Sequence, residues 1–324
     1  MPSPRTATAC QPDTGTSTAA YAWPSVDEVL ADVPIGDSGP FTATKLPGGL
    51  TNRNYRAMSA GGTSVVVRLT SPQSGALTID REMEFRNASA AAARGVAPAI
   101  LGRSQPLAAT VIEWIDGKTL EPVDLDDSNM ICRLAGICRQ LHQGAPFSTD
   151  FDMFEVQRRY LDLVLTQGYR LPARYLDFAD QVDRVKLALA AFAGGPVPCH
   201  NDLLAANILD DGERLWLIDF EYSGNNDPFF ELGNLWSEAT LPLDRLEELV
   251  TVYLGRHSAL QVARARLFGL MSKYGWTLWA SIQNATSEVD FDFWSWGIEK
   301  YERAVAEFDG PDFERLLDAA QAPP

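Results

Sequence analysis

Strand-like and helix-like patterns of hydrophobic and polar positions alternate along the chain. Residues 41–46, 54–57 and 64–69 have a composition compatible with strands, and the links between them carry the glycines of tight turns. We predict a small antiparallel sheet from these three segments. An apolar run over residues 107–115 predicts a further strand.

Helix signals surround this sheet. Ser25 followed by Glu28 is the capping-box start of a short amphipathic helix before the first strand. The Ala-rich stretch 79–95 predicts a second helix, and from residue 118 onward the pattern is mainly helical. The exception is residues 197–220, where short apolar runs alternate with turn residues, as in a hairpin with a catalytic loop at its root.

Three regions follow from these patterns. Residues 1–23 are rich in Pro, Ser, Thr and Ala and hold few large apolar groups, so we expect a disordered leader. The polar stretch 116–119 is a candidate linker. It separates a sheet-based N-terminal lobe, residues 24–117, from a larger, mainly helical C-terminal lobe, residues 118–324. The expected fold class is α/β with two lobes.

Charge narrows the range of partners. Of 324 residues, 27 are Lys or Arg and 43 are Asp or Glu, giving a formal net charge of −16. Such a chain repels phosphate backbones and anionic membranes, so nucleic acid and membrane are not expected partners. The field favours a cationic substrate, although acidity also serves solubility alone. The four cysteines lack metal-site spacing, and no apolar run approaches a membrane span, so we expect a cytoplasmic protein with reduced thiols.

The main candidate for chemistry is His200-Asn201-Asp202 with Asn207, followed by Ile218-Asp219-Phe220-Glu221. Phosphoryl transfer needs a carboxylate that orients and deprotonates the attacking hydroxyl, and oxygen ligands that hold magnesium against the phosphates. Asp202 suits the first task, and Asn207 and Asp219 suit the second. The alternative is a pair of strands with polar residues at their turns.

These motifs resemble the choline/ethanolamine kinases, which share a kinase-like fold with aminoglycoside phosphotransferases and protein kinases. The resemblance extends over residues 40–305. It implies a small antiparallel-sheet lobe and a larger helical lobe with ATP between them. It also implies that Asp202 is the catalytic base, that Asn207 and Asp219 ligate magnesium, and that Glu221 assists the metal site.

Glycines in the link between the first two predicted strands suit an approach of backbone N–H groups to phosphates. Gly48 and Gly49 lie in this link, and Thr51 and Asn52 offer further donors. An ordinary hairpin turn has the same glycines. The string Gly-Gly-Leu-Thr-Asn-x-Asn-Tyr, however, is similar to the phosphate loop of bacterial choline kinases.

Other nucleotide contacts are predicted in the same lobe. Arg68 ends a strand where kinase-like folds place a basic residue against the phosphates, and Glu84 is its expected partner, with Glu82 as the competitor. Arg at this position is similar to choline kinases, whereas the wider superfamily usually has Lys. Glu113 and Ile115 lie where the fold presents main-chain groups to adenine, although a plain strand end fits them equally.

Aromatic residues crowd between positions 276 and 301, and such clusters are more often core than binding site. Aromatic boxes also hold quaternary ammonium groups. The segment looks like the choline pocket of choline kinases, although a pocket aromatic found after the Glu238 position in some members is missing. The resemblance assigns substrate contacts to Tyr222, Glu238, Trp276, Trp279, Gln283, Phe291 and Trp296.

The resulting hypothesis is an ATP- and magnesium-dependent kinase that phosphorylates the hydroxyl of choline or a close amino alcohol, working as a monomer or homodimer. One alternative is a kinase of the same superfamily acting on ethanolamine, thiamine, an aminoglycoside or another metabolite. Aminoglycoside enzymes hold polyamines with carboxylates, so the tryptophans argue against that substrate. A second alternative is a nucleotide-binding pseudokinase, which has no use for a base at Asp202.

Overall fold

The computed structural model describes residues 23–36, 40–70, 77 and 79–323. All but the last residue of the predicted leader, 1–23, lies outside the described residues. The first helix, α1 (Val26–Asp32), begins as the sequence predicts. The Ser25 hydroxyl accepts the Glu28 N–H at 3.2 Å, and the Glu28 carboxylate accepts the Ser25 N–H at 2.7 Å. This capping box satisfies N–H groups that a helix start leaves unpaired.

Within the described residues, the N-terminal lobe holds one five-stranded antiparallel sheet. Its strands are β1 (Phe41–Lys45), β2 (Asn52–Ser59), β3 (Ser64–Thr70), β4 (Ile100–Ser104) and β5 (Ala109–Glu113), in the order β1-β2-β3-β5-β4. The strands predicted around residues 41–69 and 107–115 are confirmed. Strand β4 was not predicted from the sequence, because Gly102 and Arg103 interrupt its apolar pattern.

The two faces of this sheet have different partners. One face packs its valines against α1 in a separate small core that includes Val29, Val65, Val67 and Val111. The other face carries Arg68 toward helix α2 (Arg81–Ala93) and the C-terminal lobe. Alternation of side chains along β3 therefore aims its valines at the small core and its arginine at the site.

Helices form most of the C-terminal lobe. They are α3 (Ser128–His142), α4 (Met153–Gln167), α5 (Ala179–Ala190), α6 (Pro228–Glu238), α7 (Leu243–Leu254), α8 (Ala259–Thr286), α9 (Phe293–Phe308) and α10 (Phe313–Ala320). The long helix α8 is buried over most of its length and lies against α6 and α9. None of the described helices is long and apolar enough to cross a membrane.

Short strands complete the C-terminal lobe: β6 (Lys118–Thr119), β7 (Val197–Cys199), β8 (Ile208–Asp210), β9 (Leu215–Leu217) and β10 (Gly224–Asn226). Strands β8 and β9 form a hairpin, with β6 on the other side of β8. The predicted hairpin is therefore correct only in its second half. The strand before the predicted catalytic loop, β7, pairs instead with β10, which the sequence did not indicate.

Candidate active site

The loop after β7 is held in a conformation that few residue types adopt. Asn201 has a left-handed backbone, with φ at 67°. Its side-chain amide donates hydrogen bonds to the carbonyls of Tyr222 at 3.0 Å and Gly224 at 3.2 Å. Asparagine tolerates this conformation better than most residues, and the bonds from its side chain stabilise it. The turn places Asp202 at the start of the loop.

A buried carboxylate from α6 supports the same loop. Glu231 accepts the backbone N–H groups of His200 at 3.0 Å and Asn201 at 2.7 Å. Burial opposes its ionisation, but the hydrogen bond and charge of His142 and the N–H of His200 lower the pKa of Glu231 below its usual range. Sequence reasoning missed this residue. The only signal was an acidic residue inside the apolar run Phe-Phe-Glu-Leu.

His200 has a structural role. Its Nε2 lies 2.8 Å from the Ile218 carbonyl, and its Nδ1 lies 3.3 Å from the Asp202 backbone nitrogen. Burial lowers the pKa of His200, so the ring is neutral. Donation from Nε2–H and acceptance at Nδ1 fit one neutral tautomer. Both ring nitrogens are therefore engaged with backbone groups.

Asp202 lies within electrostatic reach of two groups of side chains. Burial raises the pKa of Asp202 well above its usual range, and the charge of Glu238 acts in the same direction. The charges of Asp219 and Glu221 add to this effect, and that of Lys300 opposes it. The pKa of Asp202 therefore depends on the charges of the Asp219-Glu221 motif and on those of a buried ion pair, Glu238 of α6 with Lys300 of α9.

Asn207 ends a short 3-10 turn, Ala205–Asn207, between the loop and β8. Its side-chain amide donates to the Asp202 carbonyl at 2.9 Å, and its own carbonyl accepts the Ile218 N–H at 3.0 Å. The predicted ligand Asn207 is thus tied both to the catalytic loop and to the segment that carries Asp219. These bonds fix the relative positions of the two motifs.

Arg68 joins the two lobes. Its Nη2 lies 3.2 Å from Glu84 of α2, 2.7 Å from Asp219 and 2.6 Å from Glu221. The expected ion pair with Glu84 is present. The competitor Glu82 lies on another face of α2, where it pairs with Arg86 and Arg103.

Arg81 is a second cation in this cluster, and sequence reasoning missed it. Its Nη1 lies 2.7 Å from Glu84 and 3.0 Å from Glu221. The i,i+3 spacing of Arg81 and Glu84 on a predicted helix was the available signal. Burial opposes ionisation of Glu221, yet the charges of Arg68 and Arg81 lower its pKa below the usual range.

The acidic part of this cluster has the chemistry of a magnesium site. Glu84, Asp219 and Glu221 each offer a carboxylate oxygen, and these oxygens lie within 4.8 Å of one another. Hard divalent cations prefer such oxygen ligands. Asp219 adopts a left-handed backbone with φ at 70°, which turns this position away from the regular strand β9 before it. The donor set therefore fits magnesium, with Glu84 joining the predicted Asp219 and Glu221.

The glycine-rich link between β1 and β2 reaches this cluster. Gly48 and Gly49 have φ values of 79° and 81°, and a side chain at Gly49 would lie 2.7 Å from the Asn52 carbonyl. The Thr51 hydroxyl donates to Glu221 at 3.0 Å, and the Asn52 amide also donates to Glu221. The predicted phosphate donors thus face a carboxylate here, beside Arg68.

A cavity of about 140 Å³ lies between α2 and the inner face of the sheet. Phe85, Ile100 and Ile112 line it, and it ends at Arg68 and Asp219. The predicted adenine contacts lie at the end of β5 and just beyond it. There the Glu113 carboxylate accepts the Ala99 N–H at 3.0 Å, and Ile115 follows two residues later, half-buried.

The aromatic block divides into two clusters. Trp276 packs edge-on against Tyr222, with ring centroids 4.8 Å apart. Trp279 instead packs against Phe293 at 5.7 Å and Trp296 at 5.5 Å. Although Trp276 and Trp279 lie only three residues apart on α8, neighbouring elements therefore place their rings in different clusters.

Three other predicted substrate residues have definite surroundings. Glu238 forms a buried ion pair with Lys300 of α9, a residue that sequence reasoning did not single out. The Gln283 amide lies 3.5 Å from the Leu50 carbonyl and so links α8 to the glycine-rich segment. Phe291 is 41% exposed and packs against Phe293, at the edge of the second cluster.

Comparison with known proteins relates this chain to a family of phosphotransferases. The sequence pattern of the phosphotransferase enzyme family matches residues 42–267. Protein LicA of Haemophilus influenzae is 27% identical over 264 residues, covering 77% of this chain and 75% of that protein. A protein of Arabidopsis thaliana named "Probable ethanolamine kinase" is 26% identical, covering 82% of this chain and 79% of its own.

Among solved structures, a choline/ethanolamine kinase family protein from Mesorhizobium loti superimposes with a TM-score of 0.77. It is 32% identical and covers 90% of this chain and 96% of its own. The predicted kinase-like fold, with a small antiparallel-sheet lobe and a larger helical lobe, is confirmed by this match and by the family pattern.

Proposed function

The chain belongs to the phosphotransferase enzyme family and, within it, to the choline/ethanolamine kinases, and from this premise we propose that it phosphorylates choline or a close amino alcohol. Membership makes it a small-molecule kinase. The proposed reaction transfers the γ-phosphoryl group of ATP to the substrate hydroxyl and gives ADP and the phosphorylated amino alcohol, which is phosphocholine when the acceptor is choline. Magnesium, when bound, neutralises charge on the transferring group.

One observation carries the proposal. The loop that carries Asp202 is tied to both sides: the Asn207 amide donates to the Asp202 carbonyl while the Asn207 carbonyl accepts the Ile218 N–H beside Asp219, and Glu231 of α6, the helix that ends at Glu238, accepts the N–H groups of His200 and Asn201. A base for phosphoryl transfer must stand between the phosphate side and the acceptor side of a site. These surroundings support Asp202 as the group that accepts the proton of the attacking hydroxyl.

On the phosphate side, this chain supplies cations and carboxylates. Arg68, oriented by Glu84, and Arg81 offer guanidinium groups for phosphate oxygens. Asp219 and Glu221 offer oxygens that would hold magnesium, with Glu84 adjacent and Asn207 as the fourth candidate ligand. The glycines at 48 and 49 permit close approach of the backbone to phosphates.

On the acceptor side, the aromatic residues support a cationic substrate. Trp276 and Tyr222 form an edge-to-face pair. Because Tyr222 follows Glu221 in the sequence, this pair lies next to a proposed magnesium ligand. Ring faces attract ammonium groups, and methylated ammonium in particular. The formal charge of −16 adds a long-range attraction for a cation.

Turnover with purified protein tests this proposal. ADP release is measured with ATP, magnesium and one acceptor at a time, namely choline, ethanolamine, thiamine or kanamycin, with Asp202→Asn as the matched inactive control. We expect release with an amino alcohol and its loss in the control. Turnover with kanamycin or thiamine alone would overturn the substrate class, and ATP binding without turnover on any acceptor would overturn the catalytic assignment.

A further inference from the structure

A lysine of the protein lies against two of the residues predicted to contact the substrate, Glu238 and Trp296. The Lys300 ammonium pairs with Glu238, and both side chains are at most 5% exposed. The same ammonium lies 4.1 Å from the centre of the Trp296 ring. Quaternary ammonium groups bind to anionic oxygens and to ring faces. Here Lys300 occupies one of each, the Glu238 carboxylate and the Trp296 ring.

This arrangement leaves one acceptor unused. The second carboxylate oxygen of Glu238, Oε1, is buried and has no hydrogen-bond partner within the described residues. A buried oxygen without a donor is costly, and an N–H group satisfies it, whereas a quaternary ammonium has no N–H to donate. The Trp279 ring packs against the Trp296 ring, and its indole N–H is likewise buried without a partner among those residues.

The pair also belongs to the site. Glu238 ends α6, and Glu231, two turns earlier on the same helix, accepts the N–H groups of His200 and Asn201 in the loop that carries Asp202. Displacement of Lys300 by a substrate is unfavourable, because its ammonium would leave a buried partner and a ring face together. The lysine therefore remains in place when an acceptor binds.

We propose that Lys300 is a specificity-determining residue that fills the Glu238-Trp296 cation site and so favours acceptors with an N–H ammonium over quaternary ones. The inference rests on the proposed function and refines its substrate class. Shortening the side chain in Lys300→Ala opens the site to a methylated ammonium. Lys300→Arg keeps a resident cation and is the matched control.

Two measurements test the inference. The first is the affinity for tetramethylammonium, a quaternary ion without a hydroxyl, followed by the concentration dependence of thermal stability. We expect its apparent Kd to fall about tenfold in Lys300→Ala, in line with the attraction of one desolvated ring face, and to stay unchanged in Lys300→Arg. The second is the ratio of kcat/KM for choline to that for ethanolamine, which should rise about tenfold in Lys300→Ala alone.

Equal tetramethylammonium affinity in the wild type and Lys300→Ala, or an unchanged choline-to-ethanolamine ratio, would overturn the inference. If Lys300→Ala does not fold because Glu238 is left unpaired, Glu238→Gln/Lys300→Ala removes both charges and still uncovers the Trp296 ring. Tighter tetramethylammonium binding is expected in that double variant too, and its absence there counts against the inference. A wild type that phosphorylates no amino alcohol, while these binding results hold, refutes the proposed function and not the cation site.

Discussion

The surroundings of Asp202 oppose the ionisation of its carboxyl group. Its pKa is raised well above the usual range, mainly by burial and then by Glu238, Asp219 and Glu221. A carboxyl whose pKa is higher in the folded than in the unfolded chain destabilises the fold at every pH above the unfolded value, because the folded state holds its proton more tightly. At neutral pH, Asp202 therefore lowers the free energy of unfolding of the protein.

We expect Asp202→Asn to separate catalysis from stability. Loss of a general base lowers kcat by roughly 10²–10⁴, while removal of a carboxyl whose ionisation the fold opposes raises Tm or leaves it unchanged. Steady-state kinetics and thermal denaturation at neutral pH measure the two effects, with ATP affinity as the control. Wild-type kcat would refute the role of the carboxylate.

Trp276 offers a test of the aromatic cluster around Tyr222. Trp276→Leu keeps apolar bulk but removes the ring face, so the KM for choline should rise about two- to thirtyfold with the KM for ATP unchanged. Trp216→Leu is the control, since that tryptophan is buried on β9 beneath Arg214. If both variants lose stability only, with choline KM unaltered, Trp276 serves packing.

Contact between two helices determines where α6 holds the catalytic loop. Gly233 of α6 lies so close to α8 that a side-chain carbon there would stand 2.0 Å from the Ala265 carbonyl. Glu231, two residues earlier, accepts the loop's N–H groups. The glycine therefore supports the site through backbone packing, at a distance from the reacting groups.

Gly233→Ala should destabilise the protein by about 1–3 kcal/mol, because α6 must move away from α8 to admit the methyl group. It should also lower kcat, since the shift carries Glu231 and the loop with it. Gly136→Ala is the matched control: Gly136 lies within α3 with nothing within 4 Å of an added carbon. There the helix propensity of alanine should stabilise the fold by up to about 1 kcal/mol. Urea unfolding of both variants checks the contrast, and equal losses would refute it.

At the scale of the whole molecule, ion pairs join the two lobes. Arg68 and Arg81 come from the N-terminal lobe, and Asp219 and Glu221 come from the C-terminal lobe. The carboxylates proposed to hold magnesium are thus shared with guanidinium groups of the other lobe. We therefore expect the binding of magnesium and the binding of phosphate to the arginines to depend on each other.

Removal of one shared carboxylate should expose this coupling. Asp219→Ala takes away a proposed magnesium ligand and should raise the half-saturating magnesium concentration about tenfold or more, besides lowering turnover. Asn207→Ala should act in the same direction and more mildly. Magnesium titrations of ATP turnover measure both variants. Unchanged titrations in both would refute the metal assignment and favour a purely structural hairpin.

Local signals accounted for much of the architecture. The capping box at Ser25, the glycine-rich links and the strands around residues 41–69 were predictable because each depends on neighbours within a few positions. The catalytic loop and the Asp219-Glu221 motif were predictable as candidates because their residue types and spacing are local as well. The pairing of Arg68 with Glu84 followed from the resemblance together with helix periodicity.

By itself, then, the sequence determined the short-range elements and the candidate chemistry of this protein. Only the tertiary structure decided the pairing of β7 with β10, the ion pair between Arg81 and Glu221, and the burial of Lys300 against Glu238. The physical reason is distance along the chain. These partners lie tens of residues or more apart, and the choice of partner for a buried charge depends on which helices pack together, which no local pattern records.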